Sequence, residues 1–213
     1  MVIRRIARVT SVPPPRADES SVPDWDDREL LSALASGDPR AGLALYDRLI
    51  RVVEWTVLRI MGQRSGEHED LVQTAFEQIV ITLHAERYAM RCSLTSWASA
   101  VSCHVALNAL RSLRRQRALH TESIDHRPLS HPRVDPENQL AAREALERIR
   151  AELARMNPAR AEALVLHEVN GLALPELASV LGISVMAAQS RVSRGRRELM
   201  ARLDGPTRGG ERP

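Results

Sequence analysis

Apolar residues recur every three or four positions along most of the chain, the spacing of one face of an α-helix. The first segment follows Asp26 and ends where Gly37, Asp38 and Pro39 break the pattern. Its apolar face holds Leu30, Leu31 and Leu34. In the next segment, the positions predicted to be buried are Leu45, Leu49, Val52, Val53, Leu58 and Ile60. A turn over 62–66 then separates this second helix from the third.

The third predicted helix runs from Glu67 to about Ala85, and the fourth from about Ser96 to Arg117, after a loop over 86–95. The apolar side of the third helix holds Val72, Phe76, Ile79, Val80 and Leu83. Three prolines interrupt residues 119–137, and helical spacing resumes from Gln139 to Leu203. The pattern therefore predicts an all-α fold of two small helical domains, 24–118 and 138–203, joined by a flexible linker over 119–137. Residues 1–23 and 204–213 are predicted to be a disordered arm and tail.

Composition supports helices packed on helices, because 44% of the residues are apolar but only 3% are aromatic. Cys92 and Cys103 are too few for a disulfide scaffold, and the histidines at 120, 126 and 131 fit no ligand spacing. We therefore predict no metal and no cofactor. No apolar run approaches the length of a membrane span, and Met1 to Thr10 lacks a signal-peptide core. The expected location is the cytoplasm, without membrane insertion.

Charge is distributed unevenly, although the net charge is only +3 and every basic residue other than histidine is Arg. Residues 104–118 and 184–203 each carry a local charge of +4, whereas residues 67–77 carry −4. Two basic patches and one acidic patch indicate at least two different partners.

The segment from Leu174 to Val192 fits a helix-turn-helix. Small Ala178 lets two helices approach, Gly182 permits the turn, and Ser184 can cap the second helix. The shared core is predicted to hold Leu177, Leu181, Ile183, Ala188 and Val192. The second helix would point Gln189, Ser190, Ser193 and Arg194 toward a major groove. Arg191, Arg196 and Arg197 suit phosphate contacts.

Two further helical faces have two interpretations each. Asp70, Gln73, Thr74 and Glu77 share one face of the third helix, which is either a partner site or a solvated side. The fourth helix carries a polar stripe of His104, Asn108, Arg111 and Arg115. Beside it lies an apolar stripe suited to packing, which holds Trp97, Val101 and Val105. The polar stripe is either a DNA-facing surface or one side of an ordinary amphipathic helix.

Taken together, four blocks resemble the extracytoplasmic-function subfamily of the sigma-70 family of bacterial RNA polymerase sigma factors. The stretch from Leu30 to Asp38 with Leu43 to Asp47 looks like the opening of the family's region 2, and Glu69 to Phe76 matches its most recognisable helix. Ser93 to Trp97 with Leu107 to Arg111 is similar to its promoter-melting segment. Arg160 to Leu199 matches region 4 as a unit. The resemblance covers about residues 28–203.

The resemblance implies a transcription initiation factor that is not an enzyme and that brings core RNA polymerase to promoter DNA. Binding to the clamp helices of the largest subunit would use Asp70, Gln73, Thr74 and Glu77, and the flap is a second expected contact. Binding to the −10 element would use Arg91, Ser93, Thr95, Trp97, His104, Asn108, Arg111 and Arg115. Binding to the −35 element would use Ala187, Gln189, Ser190, Arg191, Ser193, Arg194 and Arg197. The linker would enter the RNA channel, and an anti-sigma factor is a further expected partner.

Several positions depart from the family pattern. In the fourth helix, His104 stands where many relatives have Asn, and Ala100 and Cys103 stand where basic or other polar residues are common. The changes around region 4 are Asn157 with Pro158, Ala173, Ala187 and Gln189. Loss of a capping side chain at Ala173 costs ~1 kcal/mol, which Pro175 can partly offset by presetting φ. These departures do not change the expected activity class. They do mean that no −10 or −35 consensus sequence can be transferred from the family to this chain.

Two other classes of protein compete with this interpretation. A stand-alone helix-turn-helix regulator would explain residues 172–199, but residues 1–140 show no receiver or ligand domain. A nuclease using His68, Glu69 and Asp70 would need more converging carboxylates, and neither a Gly-rich phosphate loop nor a nucleophile elbow occurs. The regulator would bind duplex DNA alone, whereas a sigma factor needs core polymerase.

Overall fold

The computed structural model describes residues 24–62, 66–119 and 136–204. Within these ranges the ordered elements are all helices, which confirms the all-α prediction. They are α1 (Asp27–Ser36), α2 (Ala41–Met61), α3 (Gly66–His84), α4 (Leu94–Leu119), α5 (Pro136–Leu153), α6 (Pro158–Glu168), α7 (Leu174–Leu181) and α8 (Val185–Leu203). The predicted arm over 1–23, most of the linker with its three histidines, and the tail after 204 lie outside the described residues.

Helix contacts divide the chain after Arg48, and the first unit contains α1 and the start of α2. Asp26 and Glu29 form a capping box at the start of α1, where each side chain accepts a hydrogen bond from the other residue's backbone N–H. Gly37 ends α1 in the left-handed conformation, with φ of 78°. The first helix therefore begins and ends at the residues that the sequence indicated.

In the second unit, the end of α2 and helices α3 and α4 bury small and branched side chains. Leu49, Val53 and Ile60 of α2 are buried as predicted, whereas Val52 and Leu58 are only half-buried. Val57 and Thr56 are buried instead. On α3, Ala75 and Ile79 are buried, and the other predicted apolar positions, Phe76 among them, are half-buried. The true buried stripe is therefore offset slightly from the predicted one.

Helix α4 is buried on more than one side, because it packs against α3 and also against α5, α6 and α7. Its buried positions are mostly small: Ala98, Ser99, Ala100, Ser102, Cys103 and Ala106. Small side chains let helix backbones approach closely, so this composition suits a helix with neighbours on two sides. Ser102 needs no outside partner, since its hydroxyl donates to the Ala98 carbonyl at 2.8 Å.

Helices α7 and α8 form the helix-turn-helix that the sequence predicted. Gly182 occupies the turn with φ of 63°, and the Ser184 side chain accepts from the Ala187 N–H at 3.2 Å. Ala173 makes no side-chain cap bond, as expected. Asn157, which the sequence indicated only as a break, caps α6 by accepting from the N–H groups of Ala159 and Arg160.

One apolar core extends from α4 through the helix-turn-helix. It contains Ala100, Cys103 and Leu107 of α4 together with Leu164 and Leu166 of α6, Leu177 of α7, and Val192 of α8. Burial raises the pKa of the Cys103 thiol well above its ordinary value, because the thiolate would lose its hydration. The thiol of Cys103 is therefore unreactive while this core is closed.

Candidate polymerase and nucleic-acid interfaces

The acidic face of α3 is available to a partner. Asp70, Gln73 and Thr74 are exposed and Glu77 is half-buried. Gln73 Nε2 donates to Glu77 Oε1 at 3.1 Å, and Thr74 Oγ1 donates to the Asp70 carbonyl at 2.8 Å. These bonds lie along the helix, and Asp70 remains exposed. All four predicted residues therefore lie on one continuous surface.

The loop before α4 is organised by two aromatic rings. Tyr88 and Trp97 lie with their ring centroids 4.9 Å apart, and the Tyr88 hydroxyl donates to the Cys92 carbonyl at 2.5 Å. Glu86 and Met90 have positive φ, near 50°, which non-glycine residues adopt uncommonly. The loop therefore has a defined conformation around the half-buried Trp97, with Arg91 exposed at its end.

Ser93 has a structural task in addition to the one predicted for it. Its Oγ accepts from the Ser96 N–H at 3.1 Å, which caps the first turn of α4. It also lies 3.1 Å from the Thr95 hydroxyl and 2.6 Å from that of Ser96. Because α4 begins at Leu94, Thr95 belongs to the first helical turn and not to the loop.

The predicted polar stripe of α4 is only partly open. His104, Asn108 and Arg115 are exposed, but Arg111 is half-buried. One Arg111 nitrogen donates to Asn108 Oδ1 at 2.8 Å, whereas Nε and Nη2 are buried without a hydrogen-bond partner. Burial lowers the pKa of Arg111 from its ordinary value. The stripe thus runs along the edge of the contact between α4 and the later helices.

Helix α8 presents the predicted groove-facing residues at its surface. Gln189, Ser193, Arg194 and Arg197 are exposed, and Ala187, Ser190 and Arg191 are half-buried. Arg196, predicted for phosphate, pairs with Glu168 of α6. The exposed set lies opposite the buried Ala188 and Val192, so it forms the outer side of the helix-turn-helix.

An ion pair joins α8 to the start of α6. Arg160 donates to Glu198 at 2.9 Å, and Arg202 donates to the same carboxylate at 3.1 Å. The hydrogen bond from Arg160 holds the pKa of Glu198 below its ordinary value. Because Arg202 and Glu198 lie on the same helix, of these two contacts only the one from Arg160 joins α6 to α8.

Sequence patterns missed several residues at these surfaces. Val185 and Met186 begin α8 with apolar side chains in solvent, and Met186 is 82% exposed. Tyr88 and Glu162 were also missed. An apolar pair at the start of α8 could have been noticed from sequence. The partners of Tyr88, Cys92 and Trp97, are near it in the chain, but their contacts depend on the conformation of the loop. The partner of Glu162, His104, is distant in the chain and needed the fold.

The nuclease hypothesis has no geometric support. His68 is buried, with Nδ1 lacking a hydrogen-bond partner, while the neighbouring Glu69 and Asp70 are exposed. The three side chains therefore do not converge on one point. Over residues 24–62, 66–119 and 136–204, no three or more His, Cys, Asp or Glu side chains form a group able to hold a metal ion. No helix in the same ranges is long and apolar enough to cross a membrane.

Comparison with known proteins finds similarity to RNA polymerase sigma factors. Residues 146–199 match the family model described as Sigma-70, region 4. The RNA polymerase sigma factor CnrH of Cupriavidus metallidurans is 31% identical over 192 residues, which span 85% of this chain and 96% of CnrH. The ECF RNA polymerase sigma factor SigC of Mycobacterium tuberculosis is 26% identical, over 82% of this chain and 92% of SigC. The solved structure of CnrH in complex with the cytosolic domain of CnrY superposes with a TM-score of 0.51, covering 84% of this chain.

Proposed function

The chain belongs to the extracytoplasmic-function subfamily of the sigma-70 RNA polymerase sigma factors, and we propose that three of its surfaces have separate binding roles. One binds core polymerase, the second binds the −10 element, and the third binds the −35 element. The chain is a transcription initiation factor, and its relatives are sigma factors along most of its length. They give no support to a stand-alone regulator. The observation that carries the proposal is that one chain exposes both an acidic face on α3 and a basic, polar outer side on α8.

The first proposed surface binds core polymerase through Asp70, Gln73, Thr74 and Glu77. Carboxylates in solvent complement a basic partner and raise the rate of encounter. Helix α3 itself, Gly66–His84, contains no arginine that would attract DNA. We therefore assign it to a protein partner, with the clamp helices of the largest subunit as the expected contact.

The second proposed surface binds the single-stranded −10 element. The Tyr88 and Trp97 rings give the loop a rigid frame, and exposed Arg91 lies at its end. His104, Asn108, Arg111 and Arg115 continue the surface along α4. Holding an unstacked base requires specific contacts that offset a cost of a few kcal/mol, and a preorganised loop reduces the ordering entropy. Ser93 and Thr95 contribute by fixing the start of α4.

The third proposed surface reads the −35 element through the outer side of α8. Gln189 and Arg194 carry donors that match base edges in the major groove, and Arg197 and Arg191 suit phosphates. We also propose that the protein works in the cytoplasm by binding alone, without catalysing a reaction. CnrH has been solved with the cytosolic domain of CnrY, and a protein partner of the anti-sigma class is proposed here too.

Transcription in vitro tests the function directly. Core polymerase with this protein, assayed across a genomic promoter library, should initiate at a distinct set of promoters that core enzyme alone ignores. The purified protein without polymerase should neither shift these promoters specifically nor melt them. Specific binding to duplex promoters in the absence of polymerase would contradict the proposal and favour the hypothesis of a stand-alone helix-turn-helix regulator.

Replacing Arg194 by Ala should weaken −35 discrimination by about 1–3 kcal/mol, because a bidentate contact to a base is lost. The measurement is holoenzyme affinity for the best promoter and for versions with single −35 substitutions. Arg202→Ala on the same helix removes the same charge next to Glu198 and should leave discrimination unchanged. A uniform loss across all sequences for Arg194→Ala would instead identify a phosphate contact.

Met186 extends the proposed −35 surface, since its apolar side chain is 82% exposed in the first turn of α8. The first residues of a recognition helix approach base edges, and an apolar side chain there suits the methyl group of thymine. Replacing a single −35 thymine by deoxyuridine, which removes only that methyl, should weaken wild-type holoenzyme binding by about 1 kcal/mol. Met186→Ala should abolish this sensitivity, whereas Met200→Ala near the other end of α8 should keep it. Equal sensitivity in both variants would exclude Met186 from the base contacts.

A further inference from the structure

The turn between α6 and α7 contains the one Asn-Gly pair of the chain, Asn170 and Gly171. The other three asparagines, at positions 108, 138 and 157, precede Ala, Gln and Pro. The backbone nitrogen that follows an asparagine can attack its side-chain amide carbon, and glycine hinders this attack least because it has no Cβ. The sequence therefore puts a chemically reactive pair at this turn.

The attacking nitrogen of the pair lies outside the helices. Gly171 is exposed in the interval between α6 and α7, with φ of 75°. The Asn170 N–H donates to the Val165 carbonyl at 3.1 Å, and the Leu172 N–H donates to the Leu166 carbonyl at the same distance. Within the described residues, the Gly171 N–H donates to no backbone carbonyl. The nucleophile of the reaction is therefore available, unlike an N–H bonded inside a helix.

The side chain of Asn170 is held by helices from earlier in the chain. Its Nδ2 donates to the Thr56 hydroxyl of α2 at 2.8 Å and to the Ser99 hydroxyl of α4 at 2.5 Å. Thr56 and Ser99 are buried, and Asn170 itself is half-buried. Asn170 Oδ1 is buried and has no hydrogen-bond partner in the part of the chain that the structure describes. One amide thus has two acceptors at its nitrogen and no donor at its oxygen.

Both surroundings oppose deamidation of Asn170 in the folded chain. Attack on the amide carbon moves negative charge onto Oδ1, and an oxyanion without donors in a buried site is disfavoured. The nitrogen must leave as ammonia, which requires both hydrogen bonds from Nδ2 to break. The contacts with Thr56 and Ser99 therefore raise the barrier to a reaction that the sequence favours.

We propose that Asn170 is a site of spontaneous deamidation, and that its bonds to Thr56 and Ser99 hold the reaction back in the folded chain. In the first step, the Gly171 nitrogen bonds to Asn170 Cγ and loses its proton, while the bond from Cγ to Nδ2 breaks. Nδ2 leaves as ammonia, which takes up that proton, and a cyclic imide remains. Water then opens the ring at either of its carbonyls and gives aspartate or isoaspartate at position 170. Water is the only co-reactant, and no electrons are gained or lost.

Either product fits the turn poorly. Aspartate replaces the donors of Asn170 Nδ2 by a carboxylate, and a charge at a half-buried site costs stability unless it is paired. Isoaspartate lengthens the backbone immediately before Gly171, whose left-handed conformation leads into the buried Leu172. A chain that reacts while the turn is open does not return to the same packing. The site therefore limits the lifetime of the folded protein, whatever the protein binds.

The first test compares folded and unfolded wild-type protein. Full-length protein is incubated at mildly alkaline pH in buffer and in guanidinium chloride, and the peptide that contains Asn170 is followed by mass spectrometry. Enzymatic methylation detects isoaspartate, which the imide route produces and direct hydrolysis of the amide does not. The unfolded chain should react about thirtyfold faster, the factor that corresponds to two lost hydrogen bonds. In guanidinium chloride, Gly171→Ala should react roughly tenfold more slowly, because its Cβ hinders the attack.

The second test removes one of the two anchoring hydroxyls. Folded Ser99→Ala should deamidate at Asn170 about fivefold faster than wild type, because one hydrogen bond to Nδ2 is lost. The matched control is Ser102→Ala, which removes another buried hydroxyl from α4, one that donates to the Ala98 carbonyl of the same helix. The control should react at the wild-type rate. Circular dichroism checks that both variants are folded.

Faster reaction on unfolding and in Ser99→Ala alone, with isoaspartate among the products, supports the proposal. Absence of deamidation at Asn170 in guanidinium chloride would overturn it. Equal rates for folded and unfolded wild type would overturn it as well, and that comparison needs no variant. Equal rates for Ser99→Ala and Ser102→Ala would refute the protective role of the hydroxyl contacts.

Discussion

Replacing both Asp70 and Glu77 by Arg is expected to weaken binding to core polymerase about a thousandfold, since two charge reversals at one interface cost about 4 kcal/mol. Asp70 is exposed and Glu77 is half-buried on the same face of α3, seven residues apart, which places them two helical turns from each other. A basic partner surface would meet four units of changed charge there. The fold should tolerate the change because neither carboxylate forms an ion pair within the described residues.

The measurement is equilibrium binding of labelled full-length protein to core polymerase, with circular dichroism as the test of helicity. Glu144→Arg with Asp204→Arg is the matched control, because it changes the charge equally at exposed positions on α5 and at the end of α8. The control should bind nearly as well as wild type. Unimpaired binding of the α3 variant would refute the assignment of this face, whatever the behaviour of the DNA surfaces.

Replacing Gly195 by Leu is expected to lower the free energy of unfolding by about 3 kcal/mol. Gly195 is buried in the middle of α8, where that helix crosses α6. A Cβ at this position would lie 3.0 Å from the Arg160 carbonyl oxygen and 3.4 Å from the Leu164 Cβ. A larger side chain would therefore push α8 away from α6 and move the whole outer side of the helix-turn-helix.

Urea unfolding of full-length protein checks this value. Gly42→Leu is the control, because Gly42 also lies within a helix but a Cβ there meets nothing within 4 Å. The control should be stabilised by up to about 1 kcal/mol through helix propensity. Equal effects of the two substitutions would show that Gly195 does not set the distance between α6 and α8. Promoter discrimination by Gly195→Leu holoenzyme should fall as well.

The helices themselves could be predicted because their signals are local. The capping pair Asp26 and Glu29, the left-handed Gly37 and Gly182, and the cap at Ser184 all act within one turn of the residues they affect. The stripe of α3 was predicted less well, since Ala75 contributes to burial without being strongly apolar. The cap at Asn157 is equally local, since its side chain accepts from the N–H groups two and three residues later, but the sequence pattern there was interpreted only as a break.

The sequence by itself determined that this protein is helical, that it carries a helix-turn-helix, and that acidic and basic faces lie on different helices. Periodicity, caps and charge suffice for these conclusions, because each depends on residues a few positions apart. Only the tertiary structure decided which parts of those faces are open. Arg111 is half-buried, Arg196 pairs with Glu168, and Glu162 lies beside His104, although 58 positions separate Glu162 from His104 in the chain. Such contacts depend on how α4, α6 and α8 pack. Small residues such as Ala100, Cys103 and Gly195 permit this packing, but their pattern in the sequence does not indicate which residues they contact.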